Sequence, residues 1–250
     1  MLSSILALTL AMTGTTPPKP ELKANVAVFI HGAGGGGWEW NAWRPVFEKA
    51  GWLCVNEDLL PAKSGVAETR FSDYLRQVEQ LGQVHRNGKM VLIGASMGGI
   101  LALKACESLN PDALVLVNSV GPAGIGSHNG KTYPPVIEWS KGTLKETQDS
   151  MPDSDEATIQ FAFKHWRDES GAVLSEISKG IPVKKPACPL LVVLGDQDTD
   201  VPNEVGKTMA KNFHGDLRIY SGMSHVGPLL GKHAPEVAQW VLDWLAKHVR

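Results

Sequence analysis

The sequence predicts an α/β fold built on one open, mostly parallel sheet, and three observations carry that expectation. Short apolar runs alternate with helical patterns from residue 25 onward, the rhythm of strand–helix–strand units whose sheet is covered on both faces. The runs are β-branched or Leu-rich and bounded by Gly, Pro or Asp, as short buried strands are. A chain of 250 residues with 43% hydrophobic content is also long enough to bury a large core in one domain without disulfides or metal.

In chain order, residues 25–31 (NVAVFIH), 52–56, 90–94 (MVLIG), 113–118 (ALVLVN), 190–195 (LLVVLG) and 217–220 read as six strands. Helical spacing marks residues at about 42–50, 72–85, 97–109, 203–212 and 235–249. In the last of these Val237, Trp240, Val241, Trp244 and Leu245 make one apolar face, with Pro235 near the first turn. Between Val120 and Ala187 the strand patterns vanish, and the composition turns to Gly, Pro, Ser and aromatic residues. This reads as a short helical lid inserted at about residues 120–187, before the last two strands. Its clearest helix begins near Asp153, whose carboxylate is placed to cap it with Glu156 three positions on; Ile159, Phe163 and Trp166 then share a face until Gly171 stops it. The expected organisation is one domain over residues 21–250 with this lid, preceded by residues 1–20.

Composition narrows the function classes. With 24 Lys+Arg against 26 Asp+Glu and a net charge of −2, the chain lacks the basic footprint that nucleic-acid binding by counterion release requires. No apolar run reaches the ~18 residues of a membrane span. Cys54, Cys106 and Cys188 are odd in number, widely spaced and set in apolar stretches, the pattern of buried thiols rather than of a disulfide framework. Residues 4–12 (SILALTLAM) resemble the apolar core of a signal peptide, but no Lys or Arg precedes them. Export and a cytoplasmic location both stay open, and residues 15–20 (TTPPKP) read as a stiff linker in either case.

The chemistry centres on Gly94-Ala95-Ser96-Met97-Gly98, a GxSxG motif where a buried strand meets a helix. A serine on so sharp a turn has strained backbone angles, which expose its hydroxyl, and the helix that follows offers its N-terminal amides to developing negative charge. A hydroxyl is a weak nucleophile at neutral pH and needs a base held in one tautomer by a carboxylate. Both partners are available just past strand ends: the strand at 190–195 leads into GDQDTDVP and the strand at 217–220 into SGMSH. In an open parallel sheet such loops gather at one edge, so His225 is the expected base and Asp198 its orienter. Asp196 and Asp200 flank Asp198, which is favoured by its fourth place in GxxDxxVP. The DxDxD run lacks the Gly and Glu of a calcium loop, having Val201 and Lys207 at those positions, so no metal is expected.

An oxyanion needs two donors. One is the amide of Met97 after the nucleophile, and the other the amide of Ala33 in the glycine loop after the first strand; His31 is expected to brace that loop rather than transfer protons. The loop also fits GxGxxG at Gly32, Gly34 and Gly37, with Glu57 and Asp58 about twenty residues on, the rival reading of a dinucleotide fingerprint. That rival leaves Ser96, Asp198 and His225 as coincidences, and none of Tyr74, Tyr133 or Tyr220 is followed four residues later by Lys. A Walker loop is excluded because Trp38, not Lys, follows the last glycine. Trp38, Trp40, Trp139 and Trp166 are candidate walls of a pocket between this loop and the lid, each also a candidate core residue.

Taken together, HGAGGGGWEW, GASMGG, GDQDTDVP and GMSHVGPL resemble the α/β-hydrolase superfamily over most of the chain from Val26 onward. Residues 30–65 and 225–235 are similar to the branch that contains plant methyl esterases, their esterase relatives and hydroxynitrile lyases. The resemblance implies Ser96, Asp198 and His225 as the triad, the amides of Ala33 and Met97 as the oxyanion hole, and no cofactor. The lyases of that branch carry Lys after the histidine and Thr after the first-strand histidine; here Val226 and Gly32 stand there, which disfavours cyanide chemistry. The expected activity is hydrolysis of small to medium carboxylic esters through an acyl-enzyme. The alternatives are cofactor-free carbon–carbon bond hydrolysis or perhydrolysis on the same triad, an NAD(P)-binding oxidoreductase, and a non-catalytic ligand receptor. The expected partner is a small-molecule ester, with oligomeric state open.

Overall fold

The structure is a computed structural model that describes residues 24–249; the signal-peptide-like run and the TTPPKP segment lie outside them. The strands are β1 (Val26–Ile30), β2 (Leu53–Val55), β3 (Met90–Ala95), β4 (Ala113–Val117), β5 (Val136–Ile137), β6 (Glu169–Ser170), β7 (Leu190–Gly195) and β8 (Asp216–Tyr220). The helices are α1 (Arg44–Lys49), α2 (Phe71–His85), α3 (Met97–Leu109), α4 (Leu144–Ser150), α5 (Glu156–Phe163), α6 (Gly171–Lys179), α7 (Asn203–Phe213), α8 (Gly227–Leu230) and α9 (Ala234–His248). Six strands pair in the order β2-β1-β3-β4-β7-β8, every pairing parallel, so the sheet is the one the strand–helix rhythm predicts. Because all six run the same way, the loops that leave their carboxyl ends share one edge.

Alternation along each central strand divides the core into two layers. Val26, Val28, Ile30, Leu92 and Leu116 face a cluster with α2, α3 and α7, while Ala27, Phe29, Val91, Ile93 and Val115 face a second with α1 and α9. Each Val, Leu or Ile so buried contributes ~1.5–3 kcal/mol. The α9 face is as expected, with Val237, Val241, Trp244 and Leu245 buried and Trp240 packed at its margin under Arg218. The outer strand departs from the expectation of burial: in β8, Leu217 and Ile219 are each 40% exposed, because an edge strand has one unpaired side and a thinner helix cover.

The lid differs from its sequence reading in two ways. It is not purely helical, since β5 and β6 pair antiparallel and tie its start to its later part. The helix expected to start at Asp153 and run to Gly171 is α5, which ends at Phe163 and is capped by Asp155, whose side chain accepts from Thr158 N at 2.7 Å. Asp153 instead turns away and accepts from Ser224 N at 3.2 Å and Ser224 Oγ at 2.6 Å. Gly171 opens α6 rather than closing α5, and a Cβ there would collide with Pro134 O at 1.6 Å. Asp155 is thus left as the cap, while Asp153 is engaged by the loop that carries His225.

Candidate active site

Ser96 lies between β3 and α3 with φ 51° and ψ −118°, in the left-handed half of backbone space that L-residues avoid. Three hydrogen bonds hold it there: Ser96 N donates to Val117 O at 3.0 Å, and Gly99 N and Val120 N donate to Ser96 O at 3.1 and 3.3 Å. The turn closes so tightly that a Cβ at Gly94 would meet Gly98 O at 2.2 Å and one at Gly98 would meet Ile30 O at 2.1 Å, which explains both glycines of the motif. Met97 N and Ala33 N, the two expected oxyanion donors, find no acceptor among the described residues.

His225 Nδ1 lies 2.8 Å from Asp198 Oδ2. An ionised carboxylate only accepts, so Nδ1 carries the proton and Nε2 is left as the basic nitrogen. The Asp198 side chain is 1% exposed, and its other oxygen accepts from Asp200 N at 2.8 Å and Val201 N at 2.9 Å. Those bonds separate the three aspartates of the run. Asp196 is turned to the β8 end, accepting from Gly222 N at 2.7 Å and Ser221 Oγ at 3.0 Å, and Asp200 is exposed. Burial pulls the His225 pKa down, but the hydrogen bond and charge of Asp198, with the charges of Asp200 and Glu39, outweigh it and leave the imidazole more basic than usual.

Ser96 Oγ forms no hydrogen bond among the described residues, and the two loops are joined instead through Asn118. This buried side chain follows β4. Its Oδ1 accepts from Gly195 N at 2.9 Å, and its Nδ2 donates to His225 O at 2.7 Å and Ser224 O at 3.2 Å. One amide thus ties the end of β7 to the His225 loop, directly after Val117, whose carbonyl anchors Ser96.

The glycine loop after β1 is held on both sides. His31 Nε2 accepts from Leu59 N at 2.9 Å, which leaves Nδ1–H to donate to Gly32 O at 2.8 Å. Burial drives its pKa down to about 4, so it is the neutral brace the sequence suggests. From the lid, Arg167 N donates to Gly34 O and Arg167 Nε to Gly35 O, both at 2.7 Å, and Nη1 reaches Asp58 at 3.2 Å. Asp58 in turn accepts from Gly37 N at 2.7 Å, and Glu169 accepts from Gly34 N at 3.1 Å and from Tyr74 Oη at 2.8 Å. The loop runs into a 3₁₀ turn at Gly37–Trp40, not directly into an α-helix as a dinucleotide fingerprint requires.

The four tryptophans separate. Trp139, 41% exposed, lies against Gly34, whose added Cβ would stand 2.2 Å from its ring. Trp38 packs edge-to-face on Trp166 at 5.1 Å and on Phe161 at 5.9 Å, and with Phe161 it lines an open groove of about 400 Å³. Trp40 has no exposed surface: it packs on Phe29 and Trp43 in the core and lines no surface groove, since its burial completes the layer under β1. A second hollow of about 170 Å³ lies between Gly34, Tyr74 and Arg167. Neither hollow is lined by Ser96 or His225.

Sequence reasoning missed Asn118, Arg167, Glu169 and Glu39, and read Asp58 and Asp153 in other roles. Two signals were available: an Asn closing an otherwise apolar strand, and a Glu between two tryptophans in GWEW.

Residues 27–240 match the model of the alpha/beta hydrolase family. Norfluorocurarine synthase 1 from Strychnos nux-vomica is 31% identical over 129 residues, 45% of this chain and 45% of that protein, so the chain spans under half the length of this curated relative. Tomato methylketone synthase I, solved with 2-tridecanone, superposes with a TM-score of 0.73 at 18% identity, covering 90% of this chain and 99% of that one. A methylesterase from Arabidopsis does so with a TM-score of 0.69 at 17% identity, covering 90% and 100%. The likeness to the two solved structures is one of fold. The family match spans most of the sheet, from β1 to α9, and with it this chain belongs to the alpha/beta hydrolase family.

Proposed function

We propose that the protein is a serine hydrolase of carboxylic esters. Ser96 Oγ attacks the acyl carbon as His225 Nε2 takes its proton, and the carbonyl oxygen, now negative, is held by the amides of Ala33 and Met97. Collapse of the tetrahedral species expels the alcohol with the proton from His225, leaving an acyl-Ser96. Water then attacks while His225 accepts one of its protons, and the acid departs as Ser96 recovers its own. Asp198 keeps Nδ1 protonated and supports the imidazolium throughout.

The observation that carries this reading is the His225–Asp198 hydrogen bond of 2.8 Å on the same sheet edge as a serine at φ 51°. Two amides without an acceptor among the described residues, that of Met97 next to the serine and that of Ala33 next to Gly32, support it further. The resemblance in fold to an Arabidopsis methylesterase is consistent with an ester as substrate. Trp139, packed against Gly34 of the glycine loop, supports small to medium acyl or aryl esters over long-chain lipids as substrates. The test is labelling with a fluorophosphonate followed by peptide mapping, with a chain-length series of chromogenic esters on the same sample. Label on Ser96 and a rate maximum at short chains are expected. Full ester turnover by Ser96→Ala, or a maximum at long chains, refutes the nucleophile or the substrate class respectively.

A further inference from the structure

The glycine loop is wrapped around a carboxylate. Glu39 is 4% exposed, and its Oε2 accepts from Gly32 N at 2.9 Å. Its Oε1 fills the space that a Cβ at Gly35 would need, only 1.7 Å away, so the loop is glycine there because Glu39 occupies its concave side. Gly32 also borders the nucleophile: a Cβ on it would stand 3.4 Å from Ser96 Cβ and 3.6 Å from Glu39 Oε2. Of three successive amides, Gly32 N is held by Glu39 and Gly34 N by Glu169, and the one between them, Ala33 N, has no acceptor among the described residues.

The charged groups facing Glu39 are His225 from the loop after β8, Arg167 from the lid and Asp58 after β2. Burial raises the Glu39 pKa to about 7, against the pull of the Gly32 amide, His225 and Arg167. For packing alone a neutral side chain of the same size serves better, because a buried carboxylate with one amide donor carries a desolvation penalty. The charge therefore calls for another role.

We propose that Glu39 is a positioning residue for the acyl transfer: its carboxylate clamps the Gly32–Ala33 turn, so that the Ala33 amide faces the oxyanion, and its charge supports the imidazolium that His225 becomes. The inference rests on the ester-hydrolase reading above and adds to it a second carboxylate besides Asp198.

Glu39→Gln tests it, since Gln keeps the size and an acceptor for Gly32 N but not the charge. The NMR titration of the His225 imidazole is expected to move to lower pH by on the order of half a unit. The acid limb of kcat/KM for a short chromogenic ester moves with it and sharpens, because the wild type titrates two coupled groups and the variant one. Glu39→Ala, which also loses the acceptor, lowers kcat at the plateau by about tenfold or more with KM little changed, and Gln restores most of it. A His225 titration and an acid limb that superpose on wild type in Glu39→Gln overturn the proposal; if the Ala variant does not fold, the Gln variant alone decides. Wild-type protein that neither turns over the ester nor labels at Ser96 defeats the ester reading and the proposal with it. An unshifted titration in a protein that does turn over defeats the role of Glu39 alone.

Discussion

Ser96 is held in a conformation that costs ~1–3 kcal/mol, and its neighbours over-determine it. Ser96→Ala keeps the Cβ and the backbone, so turnover is expected to fall by about 10³-fold or more while thermal melting stays within a few degrees of wild type. Asp198→Asn should lower kcat by ~10⁴-fold at nearly unchanged KM, because an amide leaves His225 in the wrong tautomer; steady-state kinetics on one ester checks both variants. Two buried titratable groups also set how stability varies with pH. The folded pKa of Glu39, about 7, exceeds its ordinary 4.5; between those values the folded protein holds a proton the unfolded chain has released, and stability falls as pH rises. His31, about 4 against an ordinary 6.5, does the reverse: the unfolded chain holds the proton, and stability falls as pH drops. The two slopes oppose each other from pH 4.5 to 6.5. Urea denaturation across pH should therefore show Glu39→Gln more stable than wild type above pH 7, by about 1–3 kcal/mol, yet steeply acid-sensitive where the wild type is flat.

At the scale of elements, helices and strands whose periodicity is strong were readable from the residues, and their bounds agree with the structure to within a residue or two. β1, β3, β4 and β7 are apolar runs bounded by turn residues, α9 carries an unmistakable apolar face, and α3 is apolar nearly all round. The lid was not readable to the same degree. Asp153 and Asp155 are chemically equal as caps, and the difference lies in Ser224, seventy-one residues from Asp153 in sequence. Asp155→Ala is expected to cost about 1 kcal/mol in denaturation with kcat/KM unchanged, since it removes a cap and nothing more. Asn118→Ala should be worse on both counts. It strands Gly195 N and frees the His225 loop, so about 2–4 kcal/mol of stability and a large part of kcat are expected to go together. A variant of normal activity would show that the loop is held by other means.

For the whole molecule, burial is graded from the centre of the sheet outward. Amides of β3 and β4, enclosed by strands on both sides and helices on both faces, are expected to exchange slowest in native-state hydrogen exchange. Those of α4 and α5, with few fully buried side chains, should exchange through local openings; rates in the lid as slow as those in β4 would contradict this picture. The sequence by itself determined the sheet and the strand ends at which Ser96, Asp198 and His225 stand, because apolar periodicity and turn composition are local signals. Only the tertiary structure decided that Asp155 and not Asp153 caps α5, that Trp40 belongs to the core, and that Glu39, Asn118 and Arg167 brace the loops around Ser96 and His225. Those choices depend on which strands become neighbours, and no window of sequence contains both partners of such a contact.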